Sequence, residues 1–407
     1  MSESKITTYR MTPIDPLISR DARPFGAGGR VRSLDWLSQS VVAGAIRTAL
    51  WKEDTGRTSE ELKKVAIRGP FPIIEGRSLV KDRMYLPRPL DIVVSKEGKI
   101  PMVWQITPKE MEPDERCNMP FNQGLWPAEP DTEEDFKPEK MDAFWSVDLM
   151  ARWLQDGKEG VAANAKGKIT LIEDKDKKES ETPKHTLAVP QKDERTHVKL
   201  DPDAGTAEEG MLFSTIGLDF VQEITEGKGN EKRRRFQSGQ VALTVDFAET
   251  KMTLSNFTAP VGGERRLARF EEQEKDGSLW ACPKGLTLGK NIRMVLATPA
   301  IFENGWLPRW INKDSLEGEL KINEKVSLNL KLVSAVTGRW QPLSGWNYED
   351  DKPKALRRAV PAGSVYFFRT ENAINNLEDI WLRSVCDDTQ DQRDGLGLAL
   401  WGNWKER

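Results

Sequence analysis

Histidine is almost absent from this chain, with only His185 and His197 among 407 residues. Imidazole is the side chain that titrates near neutrality without help, so histidine-based acid–base catalysis has just those two places to occur. Cysteine is as scarce: Cys117, Cys282 and Cys386 lie far apart with no CxxC spacing, which argues against a disulfide framework and a cysteine zinc site. No apolar run approaches the roughly 20 residues of a membrane span, and the N-terminal MSESKITTYRM lacks the apolar segment of a secretion signal. A cytoplasmic protein without a membrane contact is the expectation. An excess of positive charge is missing too, because 61 Lys and Arg against 64 Asp and Glu leave a net −3, and a uniformly basic RNA-coating surface is thereby excluded. No serine elbow, HExxH, GK[ST] phosphate loop or kinase signature occurs. No enzyme activity, cofactor or metal is expected from such a sequence.

What is present is unevenly placed. Residues 10–32 hold Arg10, Arg20, Arg23, Arg30 and Arg32 against only Asp15 and Asp21, whereas 129–182 hold fifteen acids against nine bases. A local basic site on an acidic body fits that distribution. The length suits two domains with insertions better than one core. Fourteen tryptophans against four tyrosines supply rings that can stack on bases or sugars, although cores and subunit interfaces claim most buried tryptophan.

Alternation predicts a strand over Ile6–Met11, then a loop rich in Pro, Asp, Gly and Arg from Pro13 to Arg32. Ser33 is a plausible N-cap for a helix to about Lys52, with Leu34, Leu37, Val41, Ala45 and Thr48 on its apolar face and Ile46, Ala49 and Leu50 widening it. Val65–Pro72 and Tyr85–Val94 are β-rich but proline-punctuated, which predicts sheet-edge strands. Residues 129–182 look like a charged surface insertion around an amphipathic helix bearing Phe144, Val147, Met150 and Leu154. Met211–Gln222 and Val241–Ala248 predict strands, with GKGNEKRRRF between them as an exposed hairpin tip or linker. Beyond Gly262–Gly263 the pattern restarts, with strands at Ile292–Ala297, Leu328–Val336, Val365–Arg369 and Leu398–Trp401 and a helix over Ile374–Val385. Mixed strands and helices, twice over, point to an α+β chain of two domains, 1–260 and 261–407.

Four stretches carry binding chemistry. Residues 19–30 join Arg20 and Arg23 to a glycine loop, including Gly26 and Gly28, whose exposed amides suit a phosphate; a purely structural loop is the alternative. Residues 261–269 repeat the formula, with Gly262 and Gly263 followed by Arg265 and Arg266, the arginine fork being the better match to phosphate and base edges; a solvated turn between domains reads equally well. Arg195, His197 and Lys199 alternate on one side of a predicted strand, suiting either an RNA clamp or a solvent face, ahead of a flexible Asp201–Gly210. Gly395 and Gly397 form a Gly-Leu-Gly turn before the last strand, as a binding loop or simply a tight turn. His185 falls in a stretch expected to be disordered, which leaves His197 as the one acid–base candidate.

Taken in order, Arg20-Asp-Ala-Arg-Pro-Phe-Gly, Val42-Ala-Gly-Ala-Ile-Arg-Thr-Ala-Leu, Tyr85-Leu-Pro-Arg-Pro-Leu-Asp, Thr196-His-Val-Lys-Leu-Asp with Gly205-Thr-Ala-Glu-Glu-Gly-Met-Leu-Phe, Gly262-Gly-Glu-Arg-Arg, Leu296-Ala-Thr-Pro-Ala-Ile-Phe-Glu-Asn-Gly-Trp-Leu-Pro, Val360-Pro-Ala-Gly-Ser-Val-Tyr and Asp394-Gly-Leu-Gly-Leu-Ala-Leu-Trp-Gly resemble a known family. It is the third-subunit family of the type III-B CRISPR effector, the Cmr complex, within the RAMP superfamily. The resemblance implies two ferredoxin-like domains and an element protruding near 195–240 that grips the repeat-derived 5′ handle of the guide RNA (crRNA). It implies the large polymerase-like subunit and the backbone RAMP subunit as partners, with target RNA reached indirectly, and no activity of its own. It also adds Arg47 and Asn304 to the expected RNA contacts, from the second and sixth of those stretches. A RAMP endoribonuclease maturing crRNA through His197 is the alternative reading, and a tryptophan-rich carbohydrate-binding protein a poorer third.

Overall fold

The computed structural model describes residues 6–21, 33–74, 83–97, 100–111, 124–164, 167–177, 184–226, 233–250, 252–273, 279–322, 326–347, 350–371, 374 and 377–406. Strand Ile6–Pro13 alternates outward and buried side chains, the period of two that sets one face on a core. It pairs antiparallel with Gln240–Asp246 on one side and Leu267–Glu272 on the other, and Gln240–Asp246 pairs in turn with Ala66–Ile74. Arg83–Pro87, Phe144–Ser146 and Thr186–Leu187 extend this sheet at one end and Phe257–Pro260 at the other, to eight strands. The second sheet has six, with Asn291–Leu296 between Val365–Arg369 and Leu398–Asn403, and Ser327–Val336 beyond Val365–Arg369.

The two sheets repeat one order. Numbering the four main strands of each half along the chain, both run second, third, first, fourth, all antiparallel. Strand outweighs helix, and the class is α+β. The N-terminal half keeps a helix, Gln39–Glu53, between its first and second strands, where Val42, Ala45, Ile46, Ala49 and Leu50 enter a core with Tyr9, Met11, Val241, Leu243 and Phe270. In the C-terminal half the same crossover is irregular. No helix of the described residues is long and apolar enough to cross a membrane.

Several expectations need correcting. The first helix begins at Gln39, not Ser33, because the preceding segment is held extended: Leu34 donates to the Ser19 carbonyl at 2.7 Å and the Trp36 indole to the Pro70 carbonyl at 2.9 Å. Thr48, expected on the apolar face, is exposed. Ala66–Ile74 lies inside the sheet rather than at an edge. Its prolines are accommodated because pairing with Arg83–Pro87 involves only Ile73 and Ile74, and the other ladder breaks at a bulge beside Gly69–Phe71. Tyr85–Val94 divides into Arg83–Pro87 and Ile92–Glu97, the latter in a separate three-stranded sheet. The helix expected over Ile374–Val385 is one turn, Leu377–Ile380; Leu382 takes a left-handed φ of 52° and the chain continues as edge strand Arg383–Ser384. A boundary at 260/261 would cut a hairpin, since Leu267–Glu272 still belongs to the first sheet.

The largest correction concerns 129–182. Residues 131–140 are largely exposed as expected, but the helix in this stretch, Val147–Asp156, buries one whole face: Leu149, Met150, Trp153 and Leu154 have essentially no exposure. Ser146 caps its first turn, accepting from the Leu149 amide at 3.3 Å. The helix wedges between the sheets, in a core shared by Phe71, Trp145, Val295, Phe367, Leu400 and Trp404. It approaches the last strand so closely that a Cβ on Gly402 would lie 2.7 Å from Leu154 Cβ. Trp145 and Trp153 meet edge to face, with centroids 5.8 Å apart.

At the centre of that core Arg293, on the first strand of the C-terminal sheet, is fully buried. Its guanidinium bonds the Asp91 carboxylate and the Trp153 carbonyl and lies 5.2 Å over the Trp153 ring. The Trp153 indole donates to the other Asp91 oxygen at 2.9 Å. Removing one partner from a buried pair leaves an uncompensated charge and costs about 3–5 kcal/mol. Arg293→Met should therefore lower stability to chemical denaturation by several kcal/mol, and Asp91→Asn by a comparable amount. If either variant unfolds at the wild-type denaturant midpoint, the pair does not hold the two halves together.

Candidate nucleic-acid interface

Two of the arginine–glycine stretches, some 240 residues apart in sequence, meet in space. Ile18 bridges to both Gly262 and Gly263, and the Gly263 amide donates to the Ile18 carbonyl at 2.8 Å. Gly262 has a φ of 80°, and a Cβ there would collide with that carbonyl; only glycine admits the approach. A Cβ on Gly263 would stand 3.7 Å from Arg20 Cδ, so the Arg20 side chain runs along this turn. The turn is tight: Val261 N donates to the Arg266 carbonyl at 2.8 Å, and Glu264 and Arg265 carry φ values of 56° and 50°. Two consecutive left-handed residues make the hairpin turn that Asn-Gly normally fills, and non-glycine residues there are strained. Arg265 is exposed on this turn. Arg266 is half-buried, its Nε buried with no hydrogen-bond partner. Arg23, Gly26 and Gly28 lie outside the described residues.

Arg195, His197 and Lys199 stand on one strand, Gln191–Leu200, paired antiparallel with Ala207–Asp219. Alternation places Arg195 and His197 on one face, joined by Phe213 and Thr215 from the facing strand, whereas Lys199 lies where the register shifts between Val198 and Leu200. His197 stacks on Phe213 with centroids 5.2 Å apart and planes at 20°, and its Nε2 is within 2.9 Å of Thr215 Oγ1. Arg195 pairs with Asp193 at 2.6 Å and Lys199 with Glu208 at 2.7 Å. Exposed pairs of this kind are worth little and exchange readily for a phosphate. Within Asp201–Gly210 the chain makes a turn: the Asp201 carboxylate accepts from the amides of Ala204 and Asp203, which lowers its pKa, and the strand resumes at Ala207. A second ribbon, Val221–Glu226 with Arg233–Ser238, follows; the tip expected at GKGNEKRRRF lies largely outside the described residues.

Other expected contacts fall elsewhere. Arg47 is occupied by the protein, bonding the Leu62 and Val65 carbonyls at 3.1 and 3.0 Å and Asp394 at 2.7 Å; it braces the first helix to the C-terminal half and is not presented to a ligand. Gly395 and Gly397 are buried. A Cβ on Gly395 would lie 2.7 Å from the Ile67 carbonyl, and one on Gly397 would lie 2.6 Å from Cys386 Sγ. Their glycine requirement comes from protein packing, not from an approaching RNA. Asn304 is exposed on a turn, Phe302–Leu307, of the C-terminal half. Of the two described thiols, burial raises Cys282 to about 11 and Cys386 to about 12, which keeps both protonated near neutrality.

A family model for a CRISPR-associated protein (Cas_Cmr3) matches residues 9–404. No curated protein matches. Among solved structures, the chain is similar to a chain of a cryo-EM structure of the Type III-B Cmr-beta bound to cognate target RNA and AMPPnP, state 1, at 15% identity over 88% of this chain and 86% of that one, with a TM-score of 0.44. A chain of the Type III-B Cmr-beta bound to cognate target RNA gives 14% identity over the same shares and a TM-score of 0.43.

One polar cluster had no signal in the sequence. His185, expected in disorder, is 4% exposed and links Ser146 Oγ to its Nδ1 at 3.0 Å and Asp174 Oδ2 to its Nε2 at 3.2 Å. Ser146 is fully buried, so the trio faces no substrate; it pins residues 174 and 185 to the cap of the wedged helix. Desolvation pushes the His185 pKa below its usual 6.5, the Asp174 carboxylate opposing that shift. Above 6.5 the ring is neutral whether folded or unfolded. Below it the unfolded chain takes up a proton that the folded one resists, so stability is lost as the pH is lowered. Between pH 6.5 and 5 the wild type should lose more stability than His185→Gln, measured by chemical denaturation; parallel pH profiles would show that His185 is not held neutral.

Proposed function

The chain belongs to the CRISPR-associated Cas_Cmr3 family, and on that premise we propose that it is a non-catalytic RNA-binding subunit of the type III-B CRISPR (Cmr) effector. The observation that carries this reading is the family match from residue 9 to 404. The guide RNA's 5′ handle is held where Arg20 lies on the Gly262–Arg266 turn, with the Arg195–His197 face reaching along the strand and Lys199 beyond it at the shift in register. Exposed arginines on a rigid turn give charge-assisted hydrogen bonds to phosphate, and the His197–Phe213 stack offers a ring face to a base. The repeated strand order, second, third, first, fourth, supports two ferredoxin-like domains, the second with no regular first helix among the described residues. The large polymerase-like subunit and the backbone subunit are the partners this role requires.

His197 does not look like a general base: its Nε2 is taken by Thr215 and its ring by Phe213. Purified protein should leave repeat RNA intact, and cleavage that His197→Ala abolishes would establish the endoribonuclease reading instead.

The arginine contacts are tested by binding. Arg20→Ala with Arg265→Ala should weaken affinity for handle RNA at least tenfold, since a hydrogen bond to a charged group is worth about 1.5–3 kcal/mol. Melting temperature should hold, as exposed side chains contribute within about 0.5 kcal/mol. Wild-type affinity should fall with salt at a slope near −0.7 per phosphate neutralised, and the double variant should show a shallower slope. An unchanged slope and affinity would remove these arginines from the site.

A further inference from the structure

Between Ser327–Val336 and Val365–Arg369 the chain leaves the second sheet as a ribbon that none of the assignments above uses. Gln341–Leu343 pairs antiparallel with Arg357–Ala359, and farther out Trp346–Asn347 pairs with Lys352–Pro353. Its inner end is fixed: Leu343 and Ala359 enter the core, and Arg357 grips buried Asp391 at 2.8 and 2.7 Å. The returning strand is solvated from Asp350 through Arg358.

Trp340 and Trp346 lie on this ribbon at 45% and 46% exposure, when Trp145, Trp153, Trp401 and Trp404 are buried. Pro342 and Arg358 are register partners, so Trp340 shares the face of Arg358, and that guanidinium lies 5.0 Å over the indole. Residues 339–358 contain five bases, Arg339, Lys352, Lys354, Arg357 and Arg358, against three acids, within a chain of net −3. Asp350 is already engaged, by Lys352 at 3.2 Å and the Asn347 amide at 2.7 Å.

We infer that this ribbon is a stacking platform for an unpaired RNA strand, with Trp340 and Trp346 meeting bases and Arg339, Lys354 and Arg358 meeting the backbone. The inference rests on the proposed function only for RNA over DNA. Ring faces bind bases without regard to sequence when a positive groove follows the backbone, and an arginine already stacked on the indole extends the flat surface. A protein partner fits less well: interface cores are depleted in lysine and need apolar area, whereas Leu356 is the one large exposed aliphatic among the described residues here, beside Lys352 and Lys354. A duplex fits less well because its base faces are already stacked.

The test uses the full chain and a fluorescein-labelled oligouridylate of about 15 nucleotides, followed by anisotropy. Trp340→Ala with Trp346→Ala should weaken binding at least tenfold, with the melting temperature and salt slope unchanged, because stacking is lost and charge is kept. Trp340→Phe with Trp346→Phe should retain most of the affinity. A blunt RNA duplex should bind more weakly than the single strand. The tryptophan pair should cost oligouridylate binding the same factor when made in the Arg20→Ala, Arg265→Ala background, so failure of the handle site and failure of this platform are read separately. Unchanged oligouridylate binding by the double alanine variant would overturn the proposal. So would equal affinity for the duplex, or loss of a co-purifying protein subunit with oligouridylate binding intact.

Discussion

Arg293 stands on the first strand of the C-terminal sheet with no contact with water, and a guanidinium in that position is tolerated only because three groups from the other half meet it. Asp91 supplies the opposite charge, the Trp153 carbonyl a second acceptor, and the Trp153 ring a face. Asp91 in turn is held by the Trp153 indole. A buried pair of this kind is weak evidence for stability in itself, because desolvation offsets most of the attraction. Its effect is on arrangement: any shift of the halves relative to each other would strand a charge in a dry core.

Close backbone approaches make the same arrangement rigid. Gly402 admits the wedged helix, Gly395 admits the Ile67 carbonyl, and a Cβ on Gly363 would meet the Arg88 carbonyl. Leu90 adds a hydrogen bond to that same Gly363, at 2.8 Å, and Arg47 with Asp394 ties the first helix to the loop before the last strand. Each joins the two halves. The turn bearing Arg265 and the ribbon bearing Trp340 are thereby carried on one packed body, and their side chains extend from fixed bases instead of from flexible loops.

Much of the fold was legible along the chain. Ile6–Met11, Leu328–Val336 and Val365–Arg369 declared themselves by alternation or by β-branched and aromatic density, and each became a main sheet strand. What misled was local punctuation read without its tertiary context. Pro70 and Pro72 argued for an edge, yet the strand is interior because the ladder hydrogen bonds run around them. The acidic flanks of 129–182 hid a helix whose Leu149, Met150, Trp153 and Leu154 fill the core between the sheets. Arg47 was expected at RNA from the family resemblance, and the Gly395–Gly397 turn read as either a binding loop or a tight turn; packing against Asp394, Ile67 and Cys386 uses them instead. The meeting of Arg20 with Gly262–Gly263 depends on strands brought together from opposite ends of one sheet's sequence, which spacing cannot reveal. The exposed Trp340 and Trp346 were indistinguishable from core tryptophans until their burial was known.

Hydrogen exchange of the full chain, with and without an RNA carrying a repeat-derived 5′ segment, tests most directly the claim that a guide RNA lies on the Arg20–Gly262 surface. Binding should slow exchange at residues 17–21, at 261–267 and along Gln191–Leu200, and leave the buried Gly395–Gly397 turn as it was. Protection confined to other surfaces, with 17–21 and 261–267 unchanged while RNA is bound, would contradict it.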